Sequence, residues 1–260
     1  MKKLFKVAFF YSFIVITTIS VAYGIFFMNQ IRCIMVSYSG TGLREVENGI
    51  YVDPDMDDIE VQLLLLNIEQ SRDRVGLFFD SITAKPTIIA GPSKEIMKKY
   101  GANLRSPGMN HITFLGTYIV LGPGGLNRDV ISHELVHSEL VSRVGWVNRE
   151  TKIPTWFDEG LALMLDYRYA NSDAMWMMLT SNGKNAPELP ELANMHDFMR
   201  YTEKSPFFSY VTSMREVSRW WNIVGLQGFN EFSELLKQGY SFEEAYQMVE
   251  SRYTFPDVGK

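Results

Sequence analysis

Cysteine is almost absent. Cys33 stands alone, so no intramolecular disulfide can form, cysteine usage does not fix the compartment, and any metal must be held by nitrogen and oxygen donors. Basic clusters are missing after residue 6. Of the 25 Lys and Arg residues, Lys2, Lys3 and Lys6 lie at the amino terminus; the other 22 face 30 Asp and Glu, a balance of -8. A nucleic-acid protein carries a basic patch or stripe, so no nucleic-acid partner is expected. Repeats and low-complexity stretches are also missing. With 46% hydrophobic and 21% charged residues the chain is not disordered in composition, and 260 residues allow one sizeable domain with room for two lobes.

Charge is missing from residues 7–28, and no Asp or Glu precedes Glu45. A helix of that length covers roughly 33 Å, enough for a bilayer core. Two readings compete: an uncleaved signal anchor, or a signal peptide cleaved after the small residues of Ser20-Val21-Ala22. Length favours the anchor. The lysines ahead of the run then place the rest of the chain outside the cytoplasm, periplasmic or extracellular, in a single-pass protein. The expected organisation is a transmembrane segment over 1–28, a linker over 29–48 containing Ser-Gly-Thr-Gly, and one domain over 49–260.

Within that domain, Gly49 to Asp53 and Pro86 to Ala90 read as strands, with a helix over 57–79 between them. A short helix over 93–100 ends at Gly101. His111 to Leu121, β-branched and aromatic with Gly116 inside, reads as one kinked strand or a hairpin. Helices follow at roughly 129–143, 156–170, 206–225, 229–238 and 242–250. Strands first and helices after predict an α+β fold.

Histidine is scarce too, with four in the chain, yet two of them fall in His133-Glu134-Leu-Val-His137. Residues four apart share one helix face, so both imidazoles can aim at one ion, and Glu134 can reach a water on it. Zinc suits such donors, and a catalytic zinc site needs a third protein ligand. Trp156-Phe157-Asp158-Glu159-Gly160-Leu161-Ala162 offers one, with Pro154 and Thr155 as a helix start and Thr155 as N-cap. Glu159, between Trp156, Phe157 and Leu161, is costly to bury unless a cation pairs with it. The alternative, a first-turn carboxylate stabilised by the helix dipole, suits Asp158 better.

An H-E-x-x-H helix followed by W-F-x-E-G-L-A resembles the gluzincins, and among them the small peptidase MA-like proteins. The 22 positions from His137 to Glu159 lie within the range such families use. The likeness extends over residues 50–250, through Tyr210-Val-Thr-Ser213, the helix bearing Trp220 and Trp221, Gly225, Leu235-Leu236 and Gly239 to Ala245, although only the two metal motifs are strongly specific. The ending Arg252 to Pro256 departs from the family pattern, which bears on the domain's edge. The resemblance implies a zincin-like fold, a small N-terminal β-sheet with helices and the H-E-x-x-H helix followed by a mainly helical C-terminal lobe. It also implies Zn2+ on His133, His137 and Glu159, with Glu134 as catalytic base.

The expected activity is zinc-dependent hydrolysis of a peptide or protein substrate by a membrane-anchored enzyme. Two rivals remain: a catalytically inactive, zinc-stabilised binding or chaperone module at the membrane, and a membrane-assembly protein in which HELVH is a chance pattern. Tyr210 is the expected oxyanion donor, with Tyr201 as runner-up and a core aromatic as the alternative role. Tyr118 to Leu121 is a candidate edge strand for substrate, or an ordinary sheet strand. His111 and His196 read as ordinary polar residues, and Met175, Met177, Met178 and Met195 as packing or a flexible apolar wall.

Overall fold

The computed structural model describes residues 10–15, 17–18, 24, 27–38, 42–101, 106–205 and 207–254. Five strands form one mixed sheet: β1 (Arg44–Glu47), β2 (Ile50–Val52), β3 (Thr87–Ala90), β4 (Gly108–Thr113) and β5 (Gly116–Leu121), in the order β1-β2-β3-β5-β4. The central β2, β3 and β5 run parallel, while β1 and β4 are antiparallel edges. Alternation along the strands separates two apolar faces. Ile50, Val52, Ile88, Ala90, Ile119 and Leu121 enter the main core. Tyr51, Ile89, Tyr118 and Val120 pack instead with Cys33, Met97 and Tyr100, beneath α1 (Met28–Met35) and α3 (Lys94–Lys99).

On the main face lies α2 (Asp58–Phe79). Asp57 accepts from the Glu60 N–H at 2.8 Å while Glu60 accepts from the Asp57 N–H at 3.1 Å, a reciprocal cap that fixes the start of this helix. Val61, Leu64, Ile68 and Val75, three to seven residues apart, are its buried stripe. Beside it runs α4 (Arg128–Val144), capped by the Asn127 side chain on the N–H groups of Asp129 and Val130. The helical half continues with α5 (Trp146–Lys152), α6 (Thr155–Leu163), α7 (Ser172–Leu179), α8 (Met195–Lys204), α9 (Phe208–Lys237) and α10 (Phe242–Thr254). Phe157, Trp220, Phe232, Phe242 and Tyr246 interlock edge to face or stacked, with ring centroids 5.0–6.2 Å apart. These rings belong to the same apolar cluster as the inner face of the sheet, so a single core joins both halves. The architecture is α+β.

Several expectations change. The membrane anchor is corrected: among the described residues no helix is long and apolar enough to cross a membrane, which goes against a single-pass protein and the extracytoplasmic placement built on it. Residues 10–15 and 17–18 are helical; residues 1–9, 16, 19–23 and 25–26 lie outside the described residues. The stretch 29–48, read as a linker, contains most of α1, with Cys33 fully buried, and the edge strand β1. The helix expected over 156–170 stops at Leu163, and a 3-10 turn over Tyr167–Tyr169 begins where the Asp166 carboxylate accepts from the Arg168 N–H. The helices expected over 206–225 and 229–238 are borne out as the two segments of α9, which meet at Gly225, where the backbone is not helical and φ is 61°. Tyr118 to Leu121 is not an edge: β5 lies between β3 and β4, and β4 is the edge strand on that side.

Candidate metal centre

The histidine-bearing helix α4 is bolted down from two sides. Toward its C-terminal end, the buried Glu139 accepts from the Thr83 and Ala84 N–H groups, the Thr83 hydroxyl and Arg143 Nε, so its charge is satisfied where water is excluded. Toward the edge strand, Asn110 Nδ2 donates to the Glu134 carbonyl and to Ser138 Oγ, both at 2.8 Å. Gly108 on the same strand leaves room for Glu134, since a Cβ there would meet Glu134 Oε1 at 2.7 Å. The strand therefore passes directly over the acidic residue of HELVH.

Glu159 arrives on α6, which approaches α9 closely because residue 160 is glycine. A Cβ on Gly160 would stand 2.6 Å from the Ser213 carbonyl oxygen and from Val217 Cγ2. Trp156 and Phe157, one turn earlier, anchor the same helix in the aromatic core. Pro154, not Thr155, is the N-cap residue, and no side chain caps the helix.

These two helices bring His133, His137 and Glu159 together, with one ligand atom of each within 4.8 Å of the others. The two Nε2 atoms are 3.2 Å apart, and His133 Nε2 is 3.6 Å from Glu159 Oε2. Zinc bonds of ~2.0–2.1 Å at tetrahedral angles place neighbouring ligand atoms about 3.4 Å apart; the spacings of His133 to His137 and to Glu159 are of that order, so the group could hold a metal ion.

Asp158 departs from its expected role. Rather than a first-turn carboxylate facing the helix dipole, it is a buried partner of His137, with Oδ1 2.6 Å from Nδ1. A carboxylate only accepts, so Nδ1 carries the hydrogen and Nε2 is left to face the ligand cluster. Arg149 Nε and Nη2 hold the other Asp158 oxygen at 3.1 and 2.5 Å. Burial alone would lower the His137 pKa, but the Asp158 charge and hydrogen bond, with Glu159 and Glu134 adding, push it up to about 9. Burial opposes ionisation of Asp158, yet His137 and Arg149 hold its pKa well below the usual carboxylate range. Glu134 is raised by burial, with His133 and His137 pulling the other way.

Glu134 and His133 form part of a cavity of about 810 Å³ whose other walls include Arg168, Tyr169, Phe207 and Tyr210. Tyr210, in the first turn of α9, is the expected donor brought to this cavity. Burial first, then Glu159, Tyr169 and Glu134, hold its phenol far above the ordinary value, so it stays protonated. Its ring packs edge to face on Phe198 at 5.0 Å. Tyr201 does not serve: its hydroxyl donates to Glu191 at 2.6 Å, and it is not part of the cavity wall. His111 turns to the Tyr100 carbonyl, 2.8 Å away, and His196 is exposed beside Asp197. The methionine on the wall is Met199, while Met177, Met178 and Met195 are exposed elsewhere.

Arg149 and Arg168 escaped sequence reasoning, and so did the partnership of Asp158 with His137 and of Asp166 with Arg168 behind His133. The signal for Asp158 was its position beside Glu159, but nothing local distinguishes a dipole partner from a histidine partner. Comparison with protein-family models, curated proteins and solved structures finds no match.

Proposed function

We propose that this protein is a zinc-dependent peptidase with a zincin-like fold. The observation that carries the reading is the convergence of His133, His137 and Glu159 on one point, with the Glu134 carboxylate kept clear beside them under an edge strand. Ligation alone needs neither Glu134 nor the space that Gly108 leaves for it, which weighs against an inert zinc-stabilised module.

His133, His137 and Glu159 would hold the zinc ion, which would supply a bound water of lowered pKa and polarisation of a substrate carbonyl. The chain's own groups supply the rest. Glu134 takes a proton from the attacking water and delivers it to the leaving amine. The Tyr210 hydroxyl donates to the carbonyl oxygen as negative charge develops there. Asp158, fixed by Arg149, holds His137 in the tautomer that presents Nε2. The free edge of β4 pairs with an extended peptide and draws its backbone past Glu134.

The test is metal analysis of the purified full chain together with cleavage of a peptide library. About one zinc per chain is expected. Glu134→Gln keeps the metal and lowers turnover by ~100-fold or more; Tyr210→Phe lowers kcat by ~10-fold with metal content unchanged. A chain that binds no metal, or a Glu134→Gln variant that cleaves at the full rate, overturns the proposal.

A further inference from the structure

Phe207 is an anomaly of the fold. It joins α8 to α9 with φ at 75°, a left-handed conformation that a bulky side chain rarely adopts, and it is 44% exposed although large and apolar. The surrounding contacts enforce this geometry. The buried Ser209 donates to the Phe198 carbonyl at 3.1 Å, and Thr202 hydrogen-bonds both Ser209 and that same carbonyl. The Ser205 N–H donates to the Tyr201 carbonyl, and the Val211 N–H to Phe207's own. Phe198, at the hub of these bonds, is completely buried. The backbone is thus clamped before and after Phe207. A strained residue held by its neighbours marks a place where side-chain position matters more than local stability.

What the strain delivers is an aromatic ring in the wall of the candidate catalytic cavity. Phe207 meets Tyr169 edge to face at 5.6 Å, Tyr169 lies 6.3 Å from Tyr210, and Met199 shares the wall, whose polar residues include Arg168, Thr202 and Glu203. The apolar part of this wall, three rings and a thioether, offers a surface for a flat or branched apolar group. The same cavity contains Glu134 and His133, so a side chain seated there belongs to a residue beside the reacting bond.

We infer that Phe207, Tyr169 and Met199 form a specificity pocket, and that the substrates are peptides carrying a large apolar or aromatic side chain next to the scissile bond. This rests on the peptidase reading, so its test measures binding rather than turnover. The full chain is loaded with zinc and carries Glu134→Gln to prevent cleavage. Its probes are two fluorescein-labelled peptides, acetyl-Ala-Ser-Ala-Phe-Ala-Ser-Ala and the same peptide with alanine at the centre. Burial of one aromatic side chain corresponds to at least ~10-fold tighter binding of the phenylalanine peptide. In Phe207→Gly that ratio falls toward one, while the melting temperature is unchanged or raised, because glycine accepts the left-handed conformation without penalty. Phe207→Asn, which also tolerates that conformation, gives the same loss with a side chain retained. A ratio near one in the parent protein, or a full ratio in both variants, overturns the pocket and leaves the peptidase reading standing. Failure of the parent to bind either peptide also overturns it. A clear preference in binding, from a protein whose Glu134 form cleaves no peptide, keeps the pocket and removes the peptidase reading instead.

Discussion

His137 and His133 are four residues apart on one helix, yet their outer nitrogens meet different surroundings. His137 Nδ1 is 2.6 Å from Asp158, which Arg149 grips from the far side, and the pair spans two helices in the interior. His133 Nδ1 has no hydrogen-bond partner among the described residues. Asp166 Oδ2 stops 3.6 Å short of it, held back by two bonds from Arg168 at 2.8 and 2.5 Å. The first support is closed and long-range in sequence; the second is open and built by a carboxylate and a guanidinium two residues apart. An imidazole with a closed support is preorganised, while one with an open support still has to settle. His137, with the closed support, is buried, and His133, with the open one, lines the cavity.

The largest expected effect breaks the closed support. Asp158→Ala leaves the Arg149 guanidinium without its buried partner and frees the His137 ring. The expected cost is about 3 kcal/mol or more in stability, together with a 10–100-fold weaker metal affinity. Denaturant unfolding and competitive metal titration measure the two. If both stay at wild-type values, the closed support does not matter and the contrast between the histidines collapses.

The next effect appears with pH in the metal-free protein. His137 has a folded-state pKa raised to about 9, above the ~6.5 of an unfolded chain. Its contribution to stability is therefore fully present below about pH 6.5 and is lost as pH rises through about 9. Melts of the chelated protein across this range decline toward alkaline pH, and the decline flattens in Asp158→Asn. Metal affinity runs the opposite way, strengthening over the same interval because the ion displaces the proton from His137. A metal-free stability profile that is level from pH 6 to 9 contradicts this account of the pair.

The smallest effect is expected at the open support. Asp166→Asn keeps the shape of the side chain but removes the charge behind His133, and metal affinity falls by about 10-fold, the low end for outer partners of metal ligands. Affinity lost there to the same extent as in Asp158→Ala would mean that binding closes the 3.6 Å gap and makes the two supports equal. Measuring both variants in one titration series sharpens the comparison directly.

Part of this molecule was readable from local pattern. The helix over 57–79, the spacing of HELVH and a helix start at Pro154 and Thr155 all depend on residues within a few turns of each other. Backbone geometry alone puts His133 and His137 on the same face. Sequence likewise put a carboxylate at 159 in an apolar setting that a cation would relieve. Tertiary structure alone decided the remainder. It made β4 rather than β5 the edge, because strand order depends on which chain segments pair across the sheet and not on their composition. It also turned Asp158 from a helix-end carboxylate into the partner of His137, through an Arg149 nine positions earlier. It also put Phe207, left-handed at φ 75° and partly exposed, into the cavity wall beside the Ser209 and Thr202 hydrogen bonds to Phe198. Short-range periodicity specifies which residues share a face; which faces meet, and which polar groups become partners inside, depends on packing between segments far apart in the chain.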